Sequence, residues 1–509
     1  MHQLFVIISS WLTLATVSYT VSALPHNQKT SSPRSPLPLR RYMLQKSNVT
    51  CNDGTRAGFY YRPSPTSSRR WIIFLEGGWY CFSDSSCHQR WLQMRNLMSS
   101  AHWPKVRNVG GILSPTKGEN PYFWNYNHVF VPYCSSDSWS GASPAKTLSD
   151  LAFLGSEIID QVVLDLAERG LYDGKMLLLA GSSAGAGGVL VNLDRIAETL
   201  YRSGSKIEVR GIIDSGWFLD NEPYSPGMES ISPSNDDNGP YLRKKRDSDN
   251  STSNICSNPF DCSPIDSIKL GMKLWNGQVP RRCRDEYSSE PWRCYFGYRM
   301  YPTLKSPLFV FQWIFDEAQM MADNVASPVS KSQWEYVYRM GQQLRNTLVN
   351  VTSVFAPSCI SHMVLTKSSW ISIAINGTTL PTALKNWEVQ KNDFYLKFHE
   401  QNRVRFPQHD RPQRFYLYDS KSIDMIGPQE ILKIGGFAPI APVRAITTDS
   451  IQESKRDSKR RHKKHKKHRN VQRRKRLAHR KTHLIDSCSS PQCNSGCPRI
   501  MNPVTGEMM

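Results

Sequence analysis

A serine among glycines, Gly181-Ser182-Ser183-Ala184-Gly185, stands directly after the apolar run Met176-Leu-Leu-Leu-Ala180 and directly before a stretch with helical spacing. Strand, then Gly-x-Ser-x-Gly, then helix is the context of a nucleophile elbow, in which a tight turn presents a serine hydroxyl above the end of a sheet. Ser183 is the candidate nucleophile. The small residues Gly181, Ala184, Gly185, Gly187 and Gly188 let strand and helix pack closely behind it. A plain Gly/Ser-rich turn produces the same pattern, so the serine needs partners.

A hydroxyl that attacks a carbonyl needs a base to take its proton and N–H donors to receive the negative charge. Trp71-Ile-Ile-Phe-Leu75-Glu76-Gly77-Gly78 places two unobstructed amides, those of Gly77 and Gly78, at the end of a second apolar strand. With the Ala184 amide, three donors can converge on one oxygen, much as in the glycine loops of lipases and esterases, although a tight strand-exit turn fits Gly-Gly equally well. In α/β-hydrolases the triad order is serine, acid, histidine. Asp316 follows the apolar run 307–315, and His362 follows in a loop ahead of Met363-Val-Leu365. Asp214, after the run 209–213, and Glu317 compete with Asp316 for the acid's role.

The elements that must hold these groups are legible from hydrophobic pattern. Short apolar runs bounded by glycine read as parallel strands buried on both faces. Val189, Leu190, Leu193, Ile196 and Leu200 then recur at helical spacing after Ser183. The predicted fold is α/β, an α/β-hydrolase fold with a mostly parallel central sheet flanked by helices, stapled by disulfides and spanning 45–381. No metal-ligand cluster or phosphate-cradling loop is found in the sequence, and the chemistry needs no cofactor.

Residues 4–17 are apolar but too short to span a bilayer, and Val21-Ser22-Ala23 supplies the small residues of a cleavage site. Residues 1–23 therefore read as a signal peptide. The lack of Lys or Arg before the apolar stretch leaves a retained anchor open. No later run offers the roughly 18 uninterrupted apolar residues of a membrane span. The twelve cysteines suit a secreted, disulfide-bonded chain. Proximity suggests Cys81 with Cys87, Cys256 with Cys262 and Cys283 with Cys294; for Cys488-x4-Cys493-x3-Cys497 a cystine is favoured over zinc. Sequons at Asn48, Asn250, Asn350 and Asn376 fit the same route.

Residues 24–44 form a Pro- and Ser-rich leader expected to be disordered, 225–254 a polar exposed loop, and 382–454 a polar extension. Residues 455–483 hold sixteen Lys or Arg against one Asp, a local +15 of the chain's formal +21. Such a run cannot bury itself and reads as a disordered basic arm ahead of the cysteine-bearing segment 484–509. Inside a cell it would suggest nucleic acid; outside, the abundant polyanion is heparan sulfate, with a merely solvated tail as the alternative. Arg243-Lys-Lys-Arg246 and Arg473-Arg-Lys-Arg476 look like dibasic processing sites.

Five blocks together carry a resemblance: Leu75-Glu-Gly-Gly-Trp-Tyr-Cys81, Pro132-Tyr-Cys-Ser-Ser-Asp-Ser-Trp-Ser-Gly-Ala-Ser143, Ala180-Gly-Ser-Ser-Ala-Gly185, Asp214-Ser-Gly-Trp-Phe-Leu-Asp220 and Phe315-Asp-Glu-Ala-Gln319. They resemble the Notum family of secreted carboxylesterases, relatives of the plant pectin acetylesterases, over roughly 51–381. The resemblance implies a Ser-Asp-His esterase that removes palmitoleate from a serine of Wnt proteins and so lowers Wnt signalling. It assigns the triad to Ser183, Asp316 and His362 and the oxyanion amides to Gly77, Gly78 and Ala184. It also implies an apolar acyl pocket with Trp79, Tyr80, Phe218, Tyr295, Phe296 and Ala318 at matching places, and pairs Cys51 with Cys134, Cys359 with Cys497 and Cys488 with Cys493. A carbohydrate acetylesterase and a non-catalytic protein that binds Wnt or heparan sulfate remain the alternatives.

Overall fold

The apolar runs pair side by side. A computed structural model describes residues 37–147, 149–225, 262–390 and 482–499. Its strands are β1 (Leu39–Met43), β2 (Gly58–Arg62), β3 (Arg70–Leu75), β4 (Val106–Arg107), β5 (Asn127–Val131), β6 (Met176–Ser182), β7 (Glu208–Asp214), β8 (Leu308–Phe311), β9 (Phe315–Asp316), β10 (Val354–Ala356), β11 (Ile360–Ser361), β12 (Ala374–Ile375), β13 (Thr378–Thr379) and β14 (His483–Ile485). The helices are α1 (Asp84–Gln93), α2 (Gly155–Leu166), α3 (Ala184–Arg202), α4 (Pro264–Leu274), α5 (Arg281–Glu286), α6 (Gly297–Met300), α7 (Glu317–Ala322), α8 (Lys331–Leu348) and α9 (Leu380–Glu388).

Ten strands form one sheet in the order β14-β10-β8-β7-β6-β3-β5-β2-β1-β4. Every neighbouring pair from β14 to β5 is parallel, and the far edge closes with antiparallel β2, β1 and β4. Strand β6 lies between β3 and β7 and is buried along its whole length, as expected of a parallel strand covered on both faces. Its register decides the site's layout. Leu75 pairs with Gly181, and Ser182 pairs with Asp214, so the glycine loop after β3, the serine turn after β6 and the end of β7 emerge at one sheet edge. Helix α3 buries Val189, Leu190, Leu193, Ile196 and Leu200 against the sheet, the stripe its spacing predicts.

Four sequence expectations are corrected. The leader assigned to 24–44 ends earlier: Leu39–Met43 is strand β1, paired to β2, with Leu39 and Leu44 fully buried, because the Pro-rich composition stops at Pro38 and an apolar, hydrogen-bonding segment follows. The run 307–315 is two strands rather than one, since β8 ends at Phe311 and β9 begins at Phe315, with Trp313 and Ile314 buried in the turn between. The boundary at 381 cuts α9, whose Trp387 and Glu388 are buried; Glu388 pairs with Arg70 and Lys385. His483, assigned to the basic arm, opens β14, which adds a parallel strand beside β10.

Five disulfides join Cys51–Cys134, Cys81–Cys87, Cys283–Cys294, Cys359–Cys497 and Cys488–Cys493. Cys262 is also bonded, while Cys256 lies outside the described residues, as do the signal segment, Asn250, Arg246, Arg476 and the basic arm up to 481. Asn48, Asn350 and Asn376 are exposed. No helix among the described residues is long and apolar enough to cross a membrane.

Candidate active site

Ser183 connects β6 to α3 with φ 56° and ψ −123°, a conformation that non-glycine residues adopt only when the surroundings impose it. Its amide donates to the Asp214 carbonyl at 2.8 Å, and its own carbonyl accepts from the Ala186 and Gly187 amides. The glycines around it are obligatory. A Cβ on Gly181 would sit 2.3 Å from the Gly185 carbonyl oxygen, and one on Gly185 would sit 2.1 Å from that of Leu75.

Asp316 and His362 are brought together by a buried pair of two-residue strands. Strand β9 runs parallel to β11, with Phe315 beside Ile360 and Asp316 beside Ser361, so His362 emerges next to the carboxylate. His362 Nδ1 lies 2.9 Å from Asp316 Oδ1 and 3.0 Å from Oδ2. Asp316 is buried and caps α7, accepting from the Ala318 and Gln319 amides, while Gln312 Nε2 donates to its other oxygen. Burial pulls the His362 pKa down, but the Asp316 charge and hydrogen bond, with help from Asp214 and Glu317, outweigh it and leave it above the ordinary histidine value. Nδ1 is thereby committed to the carboxylate, leaving Nε2 to exchange a proton.

The two competing acids are placed otherwise. Glu317 is exposed. Asp214 is fully buried, and its Oδ2 accepts from the Ser182 hydroxyl at 2.6 Å and from the Val364 and Leu365 amides at 2.8 and 2.9 Å, while Oδ1 accepts from the Ser215 hydroxyl. The Met363 amide donates to the Ser215 hydroxyl. Asp214 therefore ties the serine turn to the loop that follows His362, a role that sequence reading missed because the donors are backbone amides.

Gly77 backs onto the serine turn so closely that a Cβ there would lie 2.5 Å from the Ser182 carbonyl oxygen and 2.8 Å from Ser183 Cβ. Gly78 has φ 143°, which favours glycine. The Gly77 and Gly78 amides have no acceptor among the described residues, and Ala184 opens α3, where N–H groups lack intrahelical partners. The Trp79 amide of the same loop likewise has no acceptor among the described residues, so unspent donors stand on both the β3 loop and the serine turn.

Beside Ser183 a cleft opens. Trp79, Tyr80, Phe218, Tyr295 and Phe296 line it as expected. Trp79 stacks on Tyr80 and meets Phe218 edge-on, and Phe218 lies 6.5 Å from the His362 ring, so an aromatic wall runs up to the base. The polar tips are occupied elsewhere: Tyr80 Oη bonds Ser267, Tyr295 Oη bonds Ser140, and Gln319 is held by Leu219 and Asp323. Burial pushes the Tyr80 hydroxyl up to about 12. Ala318 is not among the lining residues, where Gln319 and Ala322 of the same helix stand instead. Sequence reading also missed Pro264 and Ile268, whose four-residue spacing puts them on one face of α4, and Ser138, Gly187, Gly216 and Leu219, which carry no local signal beyond their neighbours.

Known proteins match this arrangement. A pectinacetylesterase family model matches residues 37–411. The palmitoleoyl-protein carboxylesterase NOTUM of Homo sapiens is 47% identical over 360 residues, 70% of this chain and 67% of that protein, and notum1' of Xenopus laevis is 40% identical over 92% of this chain and 76% of its own. The chain belongs to the Notum family, within the pectinacetylesterases. A solved structure of the Wnt deacylase Notum from Drosophila superposes with a TM-score of 0.64 at 38% identity, covering 91% of this chain and 100% of that one. The NOTUM sequence of Drosophila melanogaster is 49% identical over 357 residues, 69% of this chain, which spans about half of that relative's length, 48%.

In this Notum-family chain the C-terminal segment braces the histidine loop. Cys497 is bonded to Cys359, the Gln492 side chain accepts from the Ile360 amide at 2.8 Å, and Asp486 accepts from the Ser358 amide at 2.8 Å. Arg345 of α8 donates to the Asp486 and Cys488 carbonyls. A segment more than a hundred residues downstream in sequence thus holds Ser358, Cys359 and Ile360, just ahead of His362.

Proposed function

We propose that this protein is a secreted serine carboxylesterase that removes palmitoleate from a serine of Wnt proteins and thereby lowers Wnt signalling. The observation that carries the reading is the union, at one sheet edge, of a strained serine, an Asp-bound histidine and an aromatic-walled cleft. Ser183 Oγ attacks the ester carbonyl while His362 Nε2 takes its proton, and the Gly77, Gly78 and Ala184 amides receive the charge on the carbonyl oxygen. Collapse expels the Wnt serine oxygen, protonated by His362, and leaves the acyl group on Ser183. Water, deprotonated by His362, then attacks the acyl-enzyme, releasing the fatty acid and restoring the serine. The relatives' printed names, palmitoleoyl-protein carboxylesterase and Wnt deacylase, support this substrate.

The test compares hydrolysis of C8 and C2 esters by the secreted protein and by Ser183→Ala, followed by mass analysis of a palmitoleoylated Wnt peptide. A C8 preference abolished in the variant supports the lipid esterase. C2 preference moves the reading to a sugar acetylesterase, and inactivity of both proteins leaves a binding protein.

Secretion follows from the leader sequence and the cystines, and exposure of Asn48, Asn350 and Asn376 suits glycosylation there. The basic arm is the proposed contact with heparan sulfate proteoglycans. Its four histidines, His462, His465, His468 and His479, add charge below about pH 6.5, so binding should tighten in acid. Heparin-column elution unmoved by deleting 455–481 would remove this part of the reading.

A further inference from the structure

Ser138 brings a hydroxyl to the wall of the cleft, next to Gly187 of α3, which lines it too. A Cβ on Gly187 would lie 3.1 Å from Ser138 Oγ, and apart from its own helix nothing else among the described residues stands within 4 Å of that point. The space that Gly187 and the hydroxyl both border is therefore the cleft, and the missing side chain keeps the hydroxyl uncovered. Its direction is set by a backbone that does not relax. Ser138 has φ 53° between Asp137 and Trp139, itself at 60°, and its amide donates to Tyr133 Oη at 2.6 Å. Such conformations persist in non-glycine residues only where the surroundings impose them.

The hydroxyl itself has no partner among the described residues, although Ser138 is only 7% exposed. The other polar tips of the wall are spent. Tyr80 Oη bonds Ser267 Oγ at 2.9 Å, Tyr295 Oη bonds Ser140 Oγ at 2.7 Å, and Gln319 Nε2 donates to Asp323 at 2.9 Å. Besides Ser138, only Ser183 Oγ, read as the nucleophile, and the indole N–H of half-buried Trp79 are left unbonded among the cleft's polar side-chain groups. Pockets of this kind draw their specificity from a few such placed groups in an otherwise apolar wall.

An alkyl chain laid across Ser138 Oγ takes water from a hydroxyl and offers nothing in return. An oxygen on the chain restores the hydrogen bond, and a site with an unspent polar group favours the ligand that pairs with it. Gly187 follows Ser183 by four residues of one helix, a rise of about 6 Å. The oxygen that meets Ser138 therefore belongs a few carbons beyond the ester carbonyl.

We propose that Ser138 is a specificity-determining residue and that the cleft accepts oxygenated acyl groups, with an oxo or hydroxyl substituent a few carbons beyond the carbonyl, as well as plain alkyl chains. This rests on the reading of Ser183 as the nucleophile and leaves its chemistry as described.

The probes are octanoate esters carrying one oxo group, moved carbon by carbon from C4 to C7, each compared with plain octanoate by kcat/KM. One isomer should stand about threefold to tenfold above its positional neighbours, the worth of one hydrogen bond. That margin should vanish in Ser138→Ala. Gly187→Ala, whose methyl group would stand over Ser138 Oγ, should erase the same margin with the serine intact, and it decides the question if Ser138→Ala does not fold. A flat series in wild type overturns the proposal, as does a margin that survives in Ser138→Ala or, where that variant does not fold, in Gly187→Ala. The underlying reading fails separately. If wild type hydrolyses none of the esters, Ser183 is not the nucleophile of an esterase; if it hydrolyses plain octanoate, Ser183→Ala abolishes this and the oxo series is flat, only the role of Ser138 is removed.

Discussion

Asp214 holds the amide of Val364 at 2.8 Å, two residues beyond His362, while the same carboxylate oxygen accepts the hydroxyl of Ser182, the residue before Ser183. One buried acid therefore spans the gap between the nucleophile turn and the base loop, and the triad acid does something different.

Neutralising the two acids should give two signatures. Asp316→Asn is expected to lower kcat about 10⁴-fold, the scale seen when a serine triad's acid is lost and the histidine takes the wrong tautomer. Asp214→Asn presents an amide to three donors and should cost about 1–3 kcal/mol of stability, with a smaller loss of kcat through a shifted His362 loop. Thermal melts and kcat on a C8 ester check both. Equal kcat losses with unchanged melting in both variants would erase the distinction.

The acid limb of the rate profile should lie above pH 6.5. The raised pKa of His362 means that its free base, the catalytic form, is lost as pH falls through a value higher than that of an ordinary histidine. The stability term has the opposite slope. A group whose folded pKa is raised stabilises the fold fully below its unfolded value, and that contribution is lost as pH rises through the folded one. kcat/KM against pH, in wild type and in Asp316→Asn, reads the limb directly; a midpoint below 6.5 in wild type contradicts the assignment.

Gly77→Ala should abolish most activity, by about 10²-fold or more, because a methyl group there collides with Ser182 and Ser183 and displaces the candidate nucleophile. Gly118→Ala, where nothing lies within 4 Å of the added Cβ, is the matched control and should leave kcat unaltered.

Ile268→Trp fills the cleft from α4 without touching the reacting groups. Longer esters should lose kcat/KM while a C2 ester is nearly unaffected, which a series from C2 to C12 would record. A uniform loss at all lengths would mean that the acyl chain lies elsewhere.

Replacing Cys359 and Cys497 together by Ala should cost about 2–5 kcal/mol and lower kcat, since the bridge closes a 138-residue separation onto the His362 loop. Replacing Cys488 and Cys493, only five apart and farther from the loop, should lower melting less and spare kcat more. Melting temperature and kcat of the two double variants decide the matter.

Much of the site was legible in the order of residues because its parts obey local rules. A buried strand must be continuously apolar, the turn after it must be small, and a hydrolase serine precedes its acid and its histidine in the chain; those constraints make Ser183, Gly77, Gly78 and His362 candidates but leave Asp214, Asp316 and Glu317 competing as the acid, a choice that the family resemblance makes. Composition likewise marked the cystines. Pairing is different, because it joins residues with no local relation. Nothing near Asp214 in sequence announces that its oxygen will meet the amides of Val364 and Leu365, and nothing near His483 announces a strand beside Val354. Ala318 carried a pocket assignment that its neighbours Gln319 and Ala322 fill instead. The identity of the reacting groups is thus a property of the sequence. Their placement, through Asp214 on the base loop and β9 beside β11, is decided by tertiary register alone, since backbone amides and carbonyls look the same at every position until the fold brings a partner to them.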